Sequence, residues 1–148
     1  MDDGTNNPTI ATYDRIAAQY AAKSLDTSPE RWQSHQAQLT RFAEAVAGRA
    51  PPRRFRILDA GCGPGLDCQW FHERGFSAIG LDLSAGMLAE ARTRVSGVPF
   101  CQADLRHIGF REGAFDGIWC NASLLHLPRA DVPNVLRDFR RILGICLS

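Results

Sequence analysis

The chain has 148 residues, is 45% hydrophobic and carries a formal charge of +1, which bounds it to one domain with an ordinary globular core. The near balance of charge gives no basis for nucleic acid or an acidic membrane surface as a partner. The polar, acidic start Met1-Asp2-Asp3-Gly4-Thr5-Asn6-Asn7 is no secretory signal and no later run reaches membrane-spanning length, so a cytoplasmic location is expected.

In chain order, Ile10, Tyr13, Ile16, Ala17 and Tyr20 at helical spacing predict a helix over 8–24. Trp32, Leu39, Phe42 and Val46 predict a second helix after Ser28-Pro29. A break rich in Gly and Pro follows over Gly48 to Pro52, and the basic run Arg49, Arg53, Arg54 and Arg56 reads as a solvated lead-in. Phe55 to Asp59 is predicted as the first strand, and Leu66 to Arg74 as a crossover helix stopped by Gly75. Ala78 to Asp82 is the second strand, and Ser84 caps a helix through Met87, Leu88, Ala91 and Val95. Val98 to Asp104 and Phe115 to Asn121 follow as the third and fourth strands. Val132, Val135, Leu136, Phe139, Ile142 and Leu143 then form the apolar stripe of a last amphipathic helix. Alternating strands and helices predict an α/β fold with a mainly parallel sheet covered on both faces. The five cysteines, Cys62, Cys68, Cys101, Cys120 and Cys146, are odd in number and form no Cys-x-x-Cys pair, so reduced packing residues are expected. The scattered histidines offer no metal-ligand spacing.

Most of the functional information lies in Ile57-Leu58-Asp59-Ala60-Gly61-Cys62-Gly63-Pro64-Gly65, where an apolar run ends in a carboxylate and then in three glycines spaced by two. Such a turn lets a ligand press against the main chain and is expected to turn amide groups toward it at the carboxyl edge of the sheet. Asp82 ends the second strand 23 positions after Asp59, the placement that grips the two hydroxyls of a ribose. A dinucleotide fingerprint would need its third glycine at position 66, where Leu66 stands. Asp104 closes the third strand, and three acids at three successive strand ends suit a cationic or donor-rich nucleoside and repel a pyrophosphate.

With these segments in order, the chain resembles the class I S-adenosylmethionine-dependent methyltransferases, particularly those of small molecules. The resemblance runs from about Thr12 to Leu143 and rests on Leu58 to Gly65, Gly80-Leu81-Asp82-Leu83-Ser84, Gln102-Ala103-Asp104-Leu105, and Phe115 to Leu127. It implies a Rossmann-like three-layer sandwich, with residues 1–50 as an N-terminal helical lid region and 51–148 as a partial methyltransferase domain. S-adenosyl-L-methionine is the implied cofactor. Gly61, Cys62, Gly63 and Gly65 would lie against its methionine part, Asp59 near its ammonium group, and Asp82 on its ribose. Leu83 and Met87 would flank the adenine, Asp104 with Leu105 would meet its amino edge, and Asn121 and Tyr20 would wall the pocket.

Each residue also has a plain structural reading. Asp104 suits a turn start, Met87 a helix core, Tyr13 and Tyr20 simple helix packing. His126, at the mouth of the site, is the candidate proton acceptor for the methyl acceptor, or a histidine satisfying loop backbone. His35 and His107 have no supporting neighbours in the sequence and receive no role.

The family pattern continues beyond the last helix into a fifth strand and a hairpin, whereas only Gly144-Ile145-Cys146-Leu147-Ser148 follow here. The expectation is therefore a chain truncated after the fourth strand and its helix. It would have an uncovered edge near Ile118 and Trp119, through which it can self-associate. Two functions remain in play: methyl transfer to a small-molecule acceptor, or a catalytically inactive cofactor-binding or interaction module. A nicotinamide-dependent oxidoreductase is disfavoured by Leu66.

Overall fold

The computed structural model describes residues 8–48, 51 and 53–145. The readings of the first seven residues, Arg49 and Cys146 lie outside the described residues. Two helices, α1 (Pro8–Leu25) and α2 (Pro29–Ala47), precede the sheet. Ser28 caps α2 by accepting from the Arg31 amide at 3.4 Å, and Pro29 occupies the first turn, where no N–H is needed.

Strand β1 (Arg56–Ala60) leads through the glycine turn to α3 (Leu66–Glu73), then β2 (Ser77–Asp82), α4 (Ala85–Arg94), β3 (Phe100–Gln102), β4 (Gly117–Trp119) and α5 (Val132–Ile142). Gly75, at φ +86°, ends α3 in the left-handed conformation the sequence requires there. The four strands run parallel in the order β3-β2-β1-β4, with Leu58 beside Ile79 on one side and beside Ile118 on the other. The third and fourth strands are three residues each, shorter than expected. Pro99 has no N–H for the ladder, and the chain leaves β4 toward a left-handed Ala122 at φ +58°.

Because side chains alternate across a strand, β1 supplies both faces of the core. Ile57 packs with Leu39, Ala43 and Val46 of α2 and Phe71 of α3, while Leu58 packs with Val135, Phe139 and Ile142 of α5. Ile57, Leu58 and Ala60 are fully buried, the pattern of a central parallel strand. Burial of Ile57 and of Leu58 contributes roughly 1.5–3 kcal/mol each. The two N-terminal helices therefore divide: α2 is core, and α1 lies on α4 instead.

Among the described residues β4 pairs only with β1, so its other side is an edge of the sheet. Its side chains are not bare. Ile118 packs into the α5 side, and Trp119 packs beside Phe42 and Phe71 while its Nε1 donates to Asp67 Oδ2 at 2.8 Å. The reading of His35 as unsupported is corrected here. Its Nε2 lies 2.7 Å from Asp67 Oδ1, so one carboxylate ties α2, α3 and β4 together, a partner 32 residues away that no local pattern shows.

Arg53 is likewise more than a solvated lead-in. Both of its terminal nitrogens donate to Asp116, which also accepts from the Arg56 amide at 2.7 Å. Burial raises the Asp116 carboxyl, but the Arg53 and Arg56 bonds and charges outweigh it and hold it below the usual value. A depressed carboxyl stabilises the fold above the unfolded value of about 3.9, and that contribution disappears as pH falls through the folded value. Asp116→Ala is expected to cost roughly 1–3 kcal/mol at pH 7 in denaturant melts, with the deficit shrinking toward pH 3.

Candidate cofactor site at the carboxyl edge of the sheet

Strands β1 and β2 end side by side, with Ala60 opposite Leu81, and the glycine turn folds back onto the end of β2. The amides of Gly61 and Cys62 both donate to the Leu81 carbonyl, at 2.7 and 2.9 Å. The Gly63 amide donates to Asp82 Oδ2 at 2.8 Å, and the Gly65 amide to the Cys62 carbonyl at 3.0 Å. This corrects one expectation: these four amides hold the loop to itself and to β2 and do not face a ligand. The glycines matter for closeness. Gly61 sits at φ +84°, and a Cβ there would collide with Ser123, whose Oγ donates to the Ala60 carbonyl at 2.7 Å.

The three acids, alike in the sequence, have three different fates. Asp82 Oδ2 accepts from Gly63 and Oδ1 from the Ser84 amide at 2.9 Å, which fixes the carboxylate at the cavity rim with further lone pairs to offer. Burial pushes its carboxyl up, against the pull of those backbone bonds. Asp59 is 2% exposed beneath the turn and does not line the cavity; Cys68 Sγ donates to its Oδ2 at 3.3 Å. Burial, and then the charge of Asp67, raise its carboxyl well above the ordinary range. Asp104 lines the cavity, but its Oδ1 accepts from the Arg106 amide at 2.9 Å and its Oδ2 from an Arg106 terminal nitrogen at 2.7 Å. Burial would raise the Asp104 carboxyl; those Arg106 bonds prevail and hold it below its usual value. It is thus the turn-starting aspartate of a short 3-10 helix, Leu105–His107.

The cavity, of about 210 Å³, opens beside Asp82. Gly61, Gly63, Leu83, Met87 and Leu105 line it, as do Asn121, Tyr20 and His126. Cys62 and Gly65 do not: Cys62 is buried in the turn and Gly65 is the N-cap residue before α3. Met87 is both wall and core, at 2% exposure. The sequence reading missed Ile10, Ala122, Ser123 and Leu125 as lining residues. Ala122 carries positive φ without being glycine, a strained conformation that gathers at functional turns, but nothing in its residue type announces that.

Tyr13 comes from α1 and His126 from a short 3-10 helix, Leu124–His126, and the Tyr13 hydroxyl meets His126 Nε2 at 3.1 Å across the cavity mouth. Burial, then the neighbouring Tyr20 and Asp82, push the Tyr13 phenol up, so it remains a neutral hydroxyl. The thiols are packing groups. A bond to Cys68 lowers Cys62, but burial and the nearby acids raise it overall, and the bond to Cys62, with burial, raises Cys68 further. Among the described residues no cluster of three or more His, Cys, Asp or Glu could hold a metal, and no helix is long and apolar enough to cross a membrane.

The raised Asp59 carboxyl has a stability consequence of definite sign. A raised acid favours the fold while protonated and loses that contribution as pH rises through its folded value. Asp59→Asn is therefore expected to raise the melting temperature at pH 7, by about 2–4 °C per kcal/mol gained. The gain should fade as pH approaches the unfolded value of about 3.9.

A family profile described as "Methyltransferase domain" matches residues 57–144. The chain is 38% identical over 110 residues to the malonyl-[acyl-carrier protein] O-methyltransferase of Enterobacter lignolyticus, covering 74% of this chain and 44% of that one. It is 36% identical over 106 residues to trans-aconitate 2-methyltransferase of Escherichia coli, covering 70% and 42%. Among solved structures, an S-adenosylmethionine-dependent methyltransferase from Mesorhizobium loti aligns with a TM-score of 0.58 at 34% identity, over 72% of this chain and 51% of that one. A protein from Pyrococcus horikoshii aligns with a TM-score of 0.65 at 27% identity, over 79% and 51%. The chain spans about half the length of the curated relatives it matches. With its glycine turn, its Asp82 and its β3-β2-β1-β4 sheet in place, the chain belongs to the methyltransferase-domain family, the S-adenosylmethionine-dependent class its motifs resemble.

Proposed function

We propose that the chain binds S-adenosyl-L-methionine at the Asp82 cavity and serves methyl transfer to a small-molecule acceptor. The observation that carries this reading is the Asp82 carboxylate, held by the Gly63 and Ser84 amides at the end of β2 with acceptor capacity left on each oxygen. Two vicinal hydroxyls need such a pair of acceptors. Leu83, Met87 and Leu105 give the adjoining wall the apolar surface an adenine ring requires, and the bare Gly61 and Gly63 backbone lets the methionine part approach closely. Asn121 and Tyr20 complete the walls. Asp59 lies beneath the turn, Cys62 is a buried part of it, and Gly65 joins it to α3 as the N-cap; Asp104 contributes as wall, its charge directed at Arg106.

The bound cofactor supplies a methyl group on a positively charged sulfur, a leaving group that needs no acid. Catalysis by this chain's residues is then chiefly positioning. The exception is His126, which we assign as the group that accepts a proton from the acceptor, oriented by the Tyr13 hydroxyl. Relatives named for malonyl-[acyl-carrier protein] and for trans-aconitate support a small-molecule acceptor carrying carboxyl groups or presented on a carrier. The lid reading narrows to α1, since α2 is core. A cytoplasmic site of action and pairing of the open β4 edge with a second copy belong to the same reading. A monodisperse monomer in light scattering would contradict the pairing.

Calorimetric titration with S-adenosylmethionine is expected to show one-site binding, weakened tenfold to a hundredfold or more in Asp82→Ala once circular dichroism has shown that variant folded. Because the bond-accepting form of Asp82 is the carboxylate and its carboxyl is pushed up, affinity should fall with decreasing pH from above the usual aspartate value of about 3.9. A folded chain that binds no S-adenosylmethionine would overturn the reading; binding without turnover of any acceptor would favour the inactive module.

A further inference from the structure

Adjacent residues of α1 tie it to two different elements, the loop after β4 and the start of α4. Tyr13 meets His126 on one side, and on the other Asp14 Oδ1 accepts from Ser84 Oγ at 2.5 Å and from the Gly86 amide at 2.9 Å. An α-helix leaves its first N–H groups without intrahelical partners, and here two elements share the task of capping α4. Ser84 Oγ accepts from the Met87 amide at 3.1 Å, and Asp14, 70 residues earlier than Ser84, takes the Gly86 amide with its negative charge at the positive end of the helix. Ser84 is also the residue whose amide donates to Asp82 Oδ1. One serine therefore joins the Asp14 carboxylate to the carboxylate that faces the cavity.

The backbones meet at the same place. A Cβ on Gly86 would stand 2.9 Å from the Asp14 carbonyl oxygen and 3.0 Å from Asp14 Cα, so α1 lies directly on the first turn of α4. Ala17, one turn further on, adds to that close contact, its Cβ 3.2 Å from the same point. On the cavity side the helix presents Ile10, Tyr13 and Tyr20.

We propose that Asp14 is the latch of this lid. It is a positioning residue that holds α1 over the cavity by capping α4 through Ser84 and Gly86, and its release is the step that lets cofactor exchange. The gating half of the proposal rests on the cavity being the cofactor site; the latching half does not.

Three variants separate the possibilities. Asp14→Ala removes the acceptor. Asp14→Asn keeps an oxygen able to take both bonds. Gly86→Ala leaves Asp14 intact, improves the intrinsic helix propensity of α4 and pushes α1 away. Two readouts apply: hydrogen exchange of α1 amides without ligand, and the dissociation rate of S-adenosylhomocysteine by stopped flow. The expected result is α1 exchange and ligand release both faster by about tenfold or more in Asp14→Ala and Gly86→Ala, with Asp14→Asn close to the parent. Unchanged α1 exchange in Asp14→Ala overturns the latch, and so does an Asp14→Asn variant as impaired as Asp14→Ala. Faster α1 exchange with unchanged ligand release overturns the gate. A parent chain that binds no S-adenosylhomocysteine also ends the gating half and the cofactor reading with it, while the exchange measurement still decides the latch.

Discussion

Two acceptors at the end of β2, the Leu81 carbonyl and the Asp82 carboxylate, take the amides of Gly61, Cys62 and Gly63 in succession. That set of bonds folds the glycine turn flat across the sheet edge, and the rest of the site depends on it. With its amides spent inside the protein, the turn is a close-fitting wall with few donors to offer, which is poor for a pyrophosphate and good for a ligand that needs contact. Ser123 then packs against Gly61 from the β4 side, closing the floor between the first and fourth strands. Asp82 is left as the acid whose orientation is fixed and whose oxygens still face the cavity.

Desolvation explains why three similar aspartates do not share one task. An ionised carboxylate removed from water is costly unless it is paired or richly hydrogen-bonded. Asp104 meets that requirement with the Arg106 fork, and Asp82 partly with two backbone amides. Asp59 has a thiol donor and two acids near it, so its charged form is the least favoured of the three. In the proposed function an incoming hydroxyl pair needs an acid that is not occupied by a cation and is less fully buried than Asp59, and Asp82 is the one of the three that fits.

The fold was legible because its cues are local and periodic. Ser84 caps α4 as expected, a helix follows Ser28 as expected, Gly75 ends α3, and the strand expected over Phe55 to Asp59 is β1, Arg56–Ala60. Part of the cavity lining was legible too, through Gly61, Gly63, Asp82, Leu83 and Leu105. Much of what escaped depends on distant pairings. The Asp67 carboxylate that joins His35 to Trp119 and the Asp14 that reaches Ser84, seventy residues later, leave no periodic trace; the Arg106 fork on Asp104 is local, two residues on, but its closing back on the acid is a choice of side-chain rotamer that residue type alone does not announce. Ala122 escaped for another reason, since its positive φ is imposed by the turn after β4 and not by its residue type. The loop amides were misjudged because a glycine turn with free donors and one whose donors are spent on its neighbour strand look the same in sequence.

The most direct measurement is a crystal structure of the chain grown with S-adenosylhomocysteine. The account expects both ribose hydroxyls on the Asp82 oxygens, the adenine between Leu83 and Leu105, and the amino-acid part against Gly61 and Gly63 with no bond from the Gly61 or Cys62 amides. Ligand density away from Asp82, or a ligand held chiefly by those loop amides, would contradict it.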